Sequence, residues 1–267
     1  MVISARTRLV LRILMALGLA FLYVPLAIVV LNAFNESRSY AFPPTGYTLT
    51  WWHRAWDDSG AREGLLNSVK AGLGATAIAL VLGTMAAFAV QRYRFFGRST
   101  VSFLVILPIA LPGIVTGIAL QNAFHSVLAV DLSIWTIIIG HATFCVVIVF
   151  NNVQARLRRT GASLEQASAD LGATGWQTFR FVTFPSLRGA LVAGALLAFG
   201  LSFDEIVVTN FTAPAAIQTL PLWIFGNLFR PNQAPVVNVV AAVLIVFAIV
   251  PVWVAQRLTD DAAGSRF

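Results

Sequence analysis

The sequence predicts an all-α integral membrane protein with six transmembrane helices. Of the 267 residues, 58% are hydrophobic and 11% are charged, whereas soluble domains carry roughly 25% charged residues. The hydrophobic residues are also concentrated in long stretches, and an α-helix needs about 20 apolar residues to cross a bilayer. We therefore interpret residues 1–267 as one transmembrane domain.

Six apolar stretches have the length of a membrane span. The first follows a basic N-terminus, exceeds the 7–15 residues of a typical secretory signal core and lacks a small-residue cleavage site, so we expect it to be retained. The third contains Pro108 and Pro112, each of which removes a backbone donor, and a disrupted helix is expected there. The predicted spans are about 9–31, 66–90, 101–123, 133–151, 188–212 and 236–255.

The basic residues predict the orientation of the chain. The net charge of +7 comes from arginines clustered between the apolar stretches, a pattern that indicates membrane topology rather than nucleic-acid binding. Because basic loops stay on the cytoplasmic side, both termini are expected in the cytoplasm. The arginines assigned to that side are Arg6, Arg8, Arg12, Arg92, Arg94, Arg98, Arg156, Arg158, Arg159, Arg180, Arg257 and Arg266.

The loop between the first and second spans is predicted to lie on the outer side. It contains Trp51, Trp52 and Trp56, and tryptophan favours the headgroup level of a bilayer. We expect an interfacial helix there, which serves either as an interface anchor or as a contact for solute.

Residues 155–185, between the fourth and fifth spans, form a polar and glycine-punctuated segment. The pattern predicts two short helices with a turn at Gly172, the first of them capped by Ser163. Such a hairpin is suited to docking on a soluble partner and transmitting its motion. A surface amphipathic helix that lies on the lipid fits the same pattern equally well.

The same segment resembles a known motif. Gln166-Ala167-Ser168, Gly172 and Val182-Thr183-Phe184-Pro185 have the spacing of the EAA loop, E-A-A-x3-G-x9-I-x-L-P, carried by permease subunits of ATP-binding-cassette importers. The letters differ at several positions. Gln166 occupies the glutamate position, and Glu165 comes just before it.

The resemblance extends over nearly the whole chain. FLYVPLAIVVLNAFN, Leu66-Asn67-Ser68, LPIALPGIVTGIAL, LSFDEIVVTNFT, TLPLWIF and NQAPVVNVVAAV resemble the spermidine/putrescine (PotC-like) branch of these permeases. This implies a MetI-like permease fold with cytoplasmic coupling helices, in the bacterial cytoplasmic (inner) membrane. Related permeases carry iron, thiamine, opines or phosphonates, so another solute is the alternative.

The resemblance also implies partners. These are a cytoplasmic ATP-binding subunit dimer, a homologous second permease subunit, a periplasmic or extracellular solute-binding protein and the membrane lipid. A coupling role on the ATPase is carried over to Glu165, Gln166, Ala167, Asp170, Leu171 and Gly172.

The sequence has no P-loop motif for ATP. A P-loop requires G-x-x-x-x-G-K-[ST], and the single lysine, Lys70, lies outside any such pattern. We therefore expect no catalytic residue, no metal site and no cofactor in this chain, with ATP and Mg²⁺ on the partner ATPase. His141, inside the fourth span, is expected to be a hydrogen-bonded packing residue.

Two acids, Asp204 and Glu205, lie within the fifth predicted span. A charge at the bilayer centre costs roughly 2.5–3.5 kcal/mol, so such residues usually face a partner or a water-filled path. We expect one of them to provide a transient site for a cationic substrate. The alternative is an ion pair with Lys70.

Two other functions also fit the sequence. In an ion-driven secondary transporter, the acids of the fifth span would bind a coupling proton or sodium ion. A membrane-embedded enzyme or an assembly scaffold is the other alternative.

Overall fold

The chain folds as a series of helices. The computed structural model describes residues 4–38, 43–230 and 233–248. Within those ranges, extended pairing is limited to one isolated bridge between Asn35 and Tyr47, which confirms the predicted all-α class. The helices are α1 (Ala5–Asn32), α2 (Thr50–Asp57), α3 (Ser59–Arg92), α4 (Arg98–Ala110), α5 (Gly113–Asn122), α6 (Ile134–Thr160), α7 (Ser163–Asp170), α8 (Gly175–Thr178), α9 (Phe184–Phe203), α10 (Val207–Thr212), α11 (Leu220–Asn227) and α12 (Ala234–Ala248).

The chain divides into two compact units. The first contains α1, α2 and α12, and the second contains α4 to α10. The division falls after Ala61, near the start of α3, and after Trp223, in the middle of α11. The segment between α6 and α9 and the acidic pair Asp204 and Glu205 both lie within the second unit. The single domain predicted for residues 1–267 stays a prediction.

Most of the predicted spans correspond to helices. Four helical segments of the described chain are long and apolar enough to cross a membrane, namely Arg6–Asn32, Ser59–Arg92, Ile134–Thr160 and Gly175–Phe203. A fifth is reached if α4 and α5 count as one broken span. The helix α12 covers the start of the sixth predicted span, whose residues 249–255 lie outside the described residues, as do Arg257 and Arg266. The count of six helices is therefore approximate.

The third span is broken, as its prolines predicted. The axes of its two halves are bent by 106°. Leu111, between the halves, has an extended backbone with φ of −83° and ψ of 145°, because the ring of a following proline disfavours the helical conformation. Pro112 then occupies the N-cap position of α5. Pro108 is accommodated within α4, so the break comes from Pro112.

The fifth span differs from the prediction. It was expected to be one helix over 188–212, but α9 ends at Phe203 and α10 starts at Val207. The carboxylate of Glu205 accepts a hydrogen bond from the Val208 backbone N–H at 2.8 Å. This bond satisfies one of the backbone amides in the first turn of α10 that have no partner within the helix, and so it stabilises a new helix start after the break.

The predicted outer helix is present in the first unit as α2. Trp51 is 5% exposed, and its indole nitrogen donates to the carbonyl oxygen of Asn35 at 2.9 Å. Trp56 is 78% exposed. Within this unit Trp51 therefore has a packing role, and Trp56 presents the amphipathic ring available for an interface.

The core of the second unit centres on α6. Its buried residues pack against α3 and α9. At Gly83 of α3, an added Cβ would lie 2.9 Å from the carbonyl oxygen of Val146 on α6. A larger residue would separate these two helices, since small residues are what let membrane helices approach closely.

Candidate functional site

The polar segment between α6 and α9 is a helical hairpin. The helix α7 ends at Asp170, the chain turns at Leu171 and Gly172, and α8 begins at Gly175. Gly172 has a φ of +82°, a left-handed conformation that glycine adopts without steric cost. The π-helical segment Phe179–Thr183 then leads directly into α9. The predicted pair of short helices with a turn at Gly172 is confirmed.

The hairpin is fixed by its own hydrogen bonds. The prediction that Ser163 caps α7 is wrong, because Ser163 is the first residue of the helix and makes no capping bond. The start of α8 is capped instead by Thr174, which exchanges hydrogen bonds with Gln177 at 3.4 and 2.7 Å. The hydroxyls of Ser168 and Thr178 lie 3.1 Å apart and join the two helices.

Glu165 attaches the hairpin to the membrane helices. Its Oε2 lies 3.0 Å from the Nε of Arg92, the last residue of α3. Its Oε1 accepts from the Nη2 of Arg92 at 3.1 Å and from the hydroxyl of Thr183, just before α9, at 3.0 Å. The same Nη2 donates to the carbonyl of Gly161, just after α6, at 2.7 Å. The ion pair, with one hydrogen bond from Nη2 and a close approach of Nε, joins the hairpin to α3, and the bonds to Thr183 and Gly161 position it against the ends of three helices.

The predicted coupling residues fall into two groups. Glu165 faces Arg92 and Thr183, and its side chain is 24% exposed. The others lie on the exposed surface of the hairpin, where Leu171 is 89% exposed. They are Gln166, Ala167, Asp170, Leu171 and Gly172. A single exposed leucine is ordinary for a protein surface, and the coupling role of the six residues stays a prediction.

Sequence reasoning missed the partners of Glu165. The sequence pattern marks Arg92 only as a cytoplasmic residue, although it ends a long apolar helix and the hairpin carries a carboxylate at Glu165. The 73 positions between Arg92 and Glu165 separate them beyond the reach of any local pattern. Thr183 is 18 positions away and carried no signal.

Asp204 and Glu205 lie at the break between α9 and α10, where both line a groove of about 470 Å³. Asp204 is exposed, whereas Glu205 is half-buried and caps α10 through Val208. In the part of the chain that the structure describes, neither acid forms an ion pair, and the alternative partner Lys70 is exposed. Within these ranges the carboxylate of Asp204 is therefore open to a cation from outside the chain.

His141 connects α6 to both sides of the same break. It is fully buried, with Nδ1 2.7 Å from the hydroxyl of Ser202 on α9 and Nε2 2.9 Å from the hydroxyl of Thr209 on α10. Thr209 donates its only hydroxyl hydrogen to the carbonyl of Glu205 at 2.7 Å. It must therefore accept from Nε2–H, and the neutral ring accepts from Ser202 at Nδ1. The expectation that His141 is a hydrogen-bonded packing residue is confirmed.

Two of the segments that resemble the permease family, Leu66-Asn67-Ser68 and TLPLWIF, contact each other within the second unit. The side-chain amide of Asn67 donates to the carbonyl of Gln218 at 3.1 Å, and the backbone N–H of Leu220 donates to the hydroxyl of Ser68 at 2.9 Å. A Cβ at Gly64 would lie 3.2 Å from the Cα of Leu220. The early part of α3 is thus held against the start of α11.

Comparison with known proteins identifies the family. The family model for the binding-protein-dependent transport system inner membrane component matches residues 79–261. The spermidine/putrescine transport system permease protein PotC of Haemophilus influenzae is 32% identical over 240 residues, which is 90% of this chain and 92% of that protein. The putrescine transport system permease protein PotI of Escherichia coli (strain K12) is 31% identical over 239 residues, 87% of this chain and 84% of that protein.

A solved structure has the same fold. A bacterial ABC transporter involved in the import of the acidic polysaccharide alginate contains a chain with a TM-score of 0.74, which covers 96% of this chain and 99% of that chain at 17% identity. The expected permease fold is thereby confirmed. Since the family model and the relatives span most of the sequence, this chain belongs to the family of inner membrane components of binding-protein-dependent transport systems, which are transport rather than catalytic subunits.

Proposed function

We propose that this chain forms part of the solute pathway of an ATP-binding-cassette importer and is moved by a separate ATPase that contacts the hairpin. The observation that carries the proposal is the attachment of the hairpin to α3, α6 and α9 through Glu165 and Arg92. A displacement of the hairpin reaches three helices at once, because the ion pair allows little independent movement. The exposed surface around Leu171 supplies the contact for the ATPase.

The proposed assembly contains an ATP-binding subunit dimer on the cytoplasmic side, a homologous second permease and an external solute-binding protein. ATP and Mg²⁺ bind to the ATPase, since this chain has no P-loop sequence. Arg92, Arg156 and Arg180 lie at or near the hairpin. Because basic residues favour the cytoplasmic side of the membrane, they support a cytoplasmic position of the hairpin. Both termini then lie in the cytoplasm, and the chain resides in the bacterial inner membrane.

A polyamine is the proposed solute. Spermidine and putrescine appear in the names of the relatives, and both molecules are polycations at neutral pH because their amines are protonated. Asp204 offers an exposed carboxylate in the groove. It follows the final carbonyls of α9, and the C-terminal end of a helix also favours a cation.

Reconstituted vesicles test the proposed function. The complex of both permeases and the ATPase is inserted with the hairpin facing inwards, ATP is enclosed, and labelled spermidine is supplied outside with the solute-binding protein. We expect uptake that requires hydrolysable ATP. Uptake driven by a proton or sodium gradient without ATP would identify an ion-coupled carrier. ATP-driven uptake of a phosphonate but not of spermidine would keep the importer and reject the polyamine.

Replacing Asp204 by asparagine is expected to lower spermidine uptake about tenfold at equal membrane abundance, which corresponds to ~1.4 kcal/mol of lost interaction with the cation. Glu205→Gln should have a smaller effect, because the amide oxygen still accepts from the Val208 N–H. The measurement is the initial rate of labelled spermidine uptake.

Asp131→Asn is the matched control for this experiment. Asp131 is also exposed, and it lies in the connection between α5 and α6, away from the residues that line the groove. The same loss of charge there should leave uptake unchanged. Undiminished uptake in both the Asp204 and the Glu205 variant would reject a cation site at the break.

A further inference from the structure

A second groove, of about 580 Å³, lies where the hairpin passes into α9. Four aromatic side chains and two arginines line it. They are Trp176, Phe179, Arg180, Phe181, Phe184 and Arg188. We propose that this groove binds an anionic phospholipid, with the phosphate at the arginines and an acyl chain along the aromatic rings. The proposal rests on the orientation given under the proposed function, which places this end of α9 at the cytoplasmic leaflet.

The two arginines are available to an anion. In the described part of the chain, neither forms an ion pair. Each guanidinium lies over a ring of the groove instead, Arg180 at 5.8 Å from the centroid of Phe181 and Arg188 at 5.7 Å from that of Phe184. The nearby carboxylate of Glu165 is already bound by Arg92. The charge of the groove is therefore positive and uncompensated within these residues.

The groove lies at the depth of lipid headgroups. The helical stretch Gly175–Phe203 has 29 residues, which at 1.5 Å per residue is about 43 Å long, whereas the hydrocarbon core is about 30 Å thick. One end must project into the headgroup region. Residues 189–203 carry no charged side chain, so the projecting end is the one with Arg180 and Arg188.

The composition of the groove favours a lipid over a protein. Trp176 is 67% exposed and Phe181 is 69% exposed, and Trp176 stacks on Phe179 with centroids 5.7 Å apart. Aromatic rings beside arginine at the cytoplasmic interface match both parts of an anionic lipid, the acyl chain and the phosphate. The hairpin surface around Leu171, which we assign to the ATPase, does not belong to this groove.

Native mass spectrometry of the purified complex tests the proposal. The complex is taken from vesicles of phosphatidylglycerol and phosphatidylethanolamine, and the bound phosphatidylglycerol is counted. The double variant Arg180→Gln with Arg188→Gln should retain at least fivefold less than the unchanged protein. Arg180→Lys with Arg188→Lys should retain it, because the positive charge stays.

The matched control is Arg158→Gln with Arg159→Gln. It removes the same charge from exposed residues outside the groove, and lipid retention should not change. Equal retention by the groove and control variants would overturn the proposal. So would a groove variant that loses the ATPase subunit in every lipid, because the groove would then be a protein interface. ATP-driven uptake by the unchanged complex is measured separately, so the importer can stand if the lipid site fails.

Discussion

Gly172→Ala is expected to remove most ATP-driven transport while the protein stays in the membrane. The φ of +82° at Gly172 lies in the left-handed region, where a residue with a Cβ is destabilised by roughly 1–2 kcal/mol. No atom lies within 4 Å of the position that a Cβ would take, so the effect is on the backbone alone. A penalty of this size shifts the ratio of native to non-native turn conformations by a factor of about 5–30. The ATPase would then meet a hairpin of altered shape.

Gly175→Ala is the matched control for this change. A Cβ at Gly175 also has no atom within 4 Å, and the residue lies outside the left-handed region. Transport by this variant should be close to that of the unchanged protein. The measurements are uptake and ATPase stimulation at equal membrane abundance. Full coupling in the Gly172 variant would show that the left-handed turn has no part in transmission.

His141→Leu is expected to lower the stability of the second unit and to impair transport with it. The ring accepts from Ser202 on one side of the break and donates to Thr209 on the other. Leucine leaves the buried hydroxyl of Ser202 without its acceptor, which costs about 1–3 kcal/mol. The break that holds Asp204 and Glu205 also loses two of its hydrogen bonds to α6, while the bond from Thr136 to the Thr212 carbonyl remains. The melting temperature in detergent and the uptake rate should both fall.

A second substitution separates this explanation from a simple packing defect. Adding Ser202→Ala to His141→Leu removes the stranded hydroxyl, and replacing both partners of a hydrogen bond by apolar groups is often nearly neutral. The double variant should therefore melt higher than His141→Leu alone. His125→Leu, at an exposed histidine, should have no effect. A double variant that melts lower than the single one would contradict the hydrogen-bond account.

Local chemistry explains which parts of the fold were predictable. The break in the third span followed from Pro112, since the ring disfavours the helical conformation at Leu111. The hairpin turn followed from Gly172 and its polar surroundings. Both features depend on residues within a few positions of each other, so a short stretch of sequence is enough to predict them.

The break in the fifth span was not predictable in the same way. Its residues 188–212 are mostly apolar, with Asp204 and Glu205 among the exceptions, and this hydrophobic length favours one continuous helix. The interruption depends on the capping bond from Glu205 and on His141, which lies 61 positions from Ser202 and 68 from Thr209. An apolar pattern predicts that a segment enters the membrane, but it does not predict which polar side chains of other helices will form hydrogen bonds with it.

The sequence alone determined the membrane class, the approximate positions of the spans and the existence of the hairpin, because hydrophobic length, proline and glycine act locally. Only the tertiary structure decided that Glu165 is bound to Arg92, that His141 joins both sides of a broken helix, and that Asp204 is left exposed. These outcomes depend on which side chains the packing of separate helices brings within hydrogen-bonding distance. A partner 73 positions away pairs with the partly buried carboxylate of Glu165 only when the fold places it there.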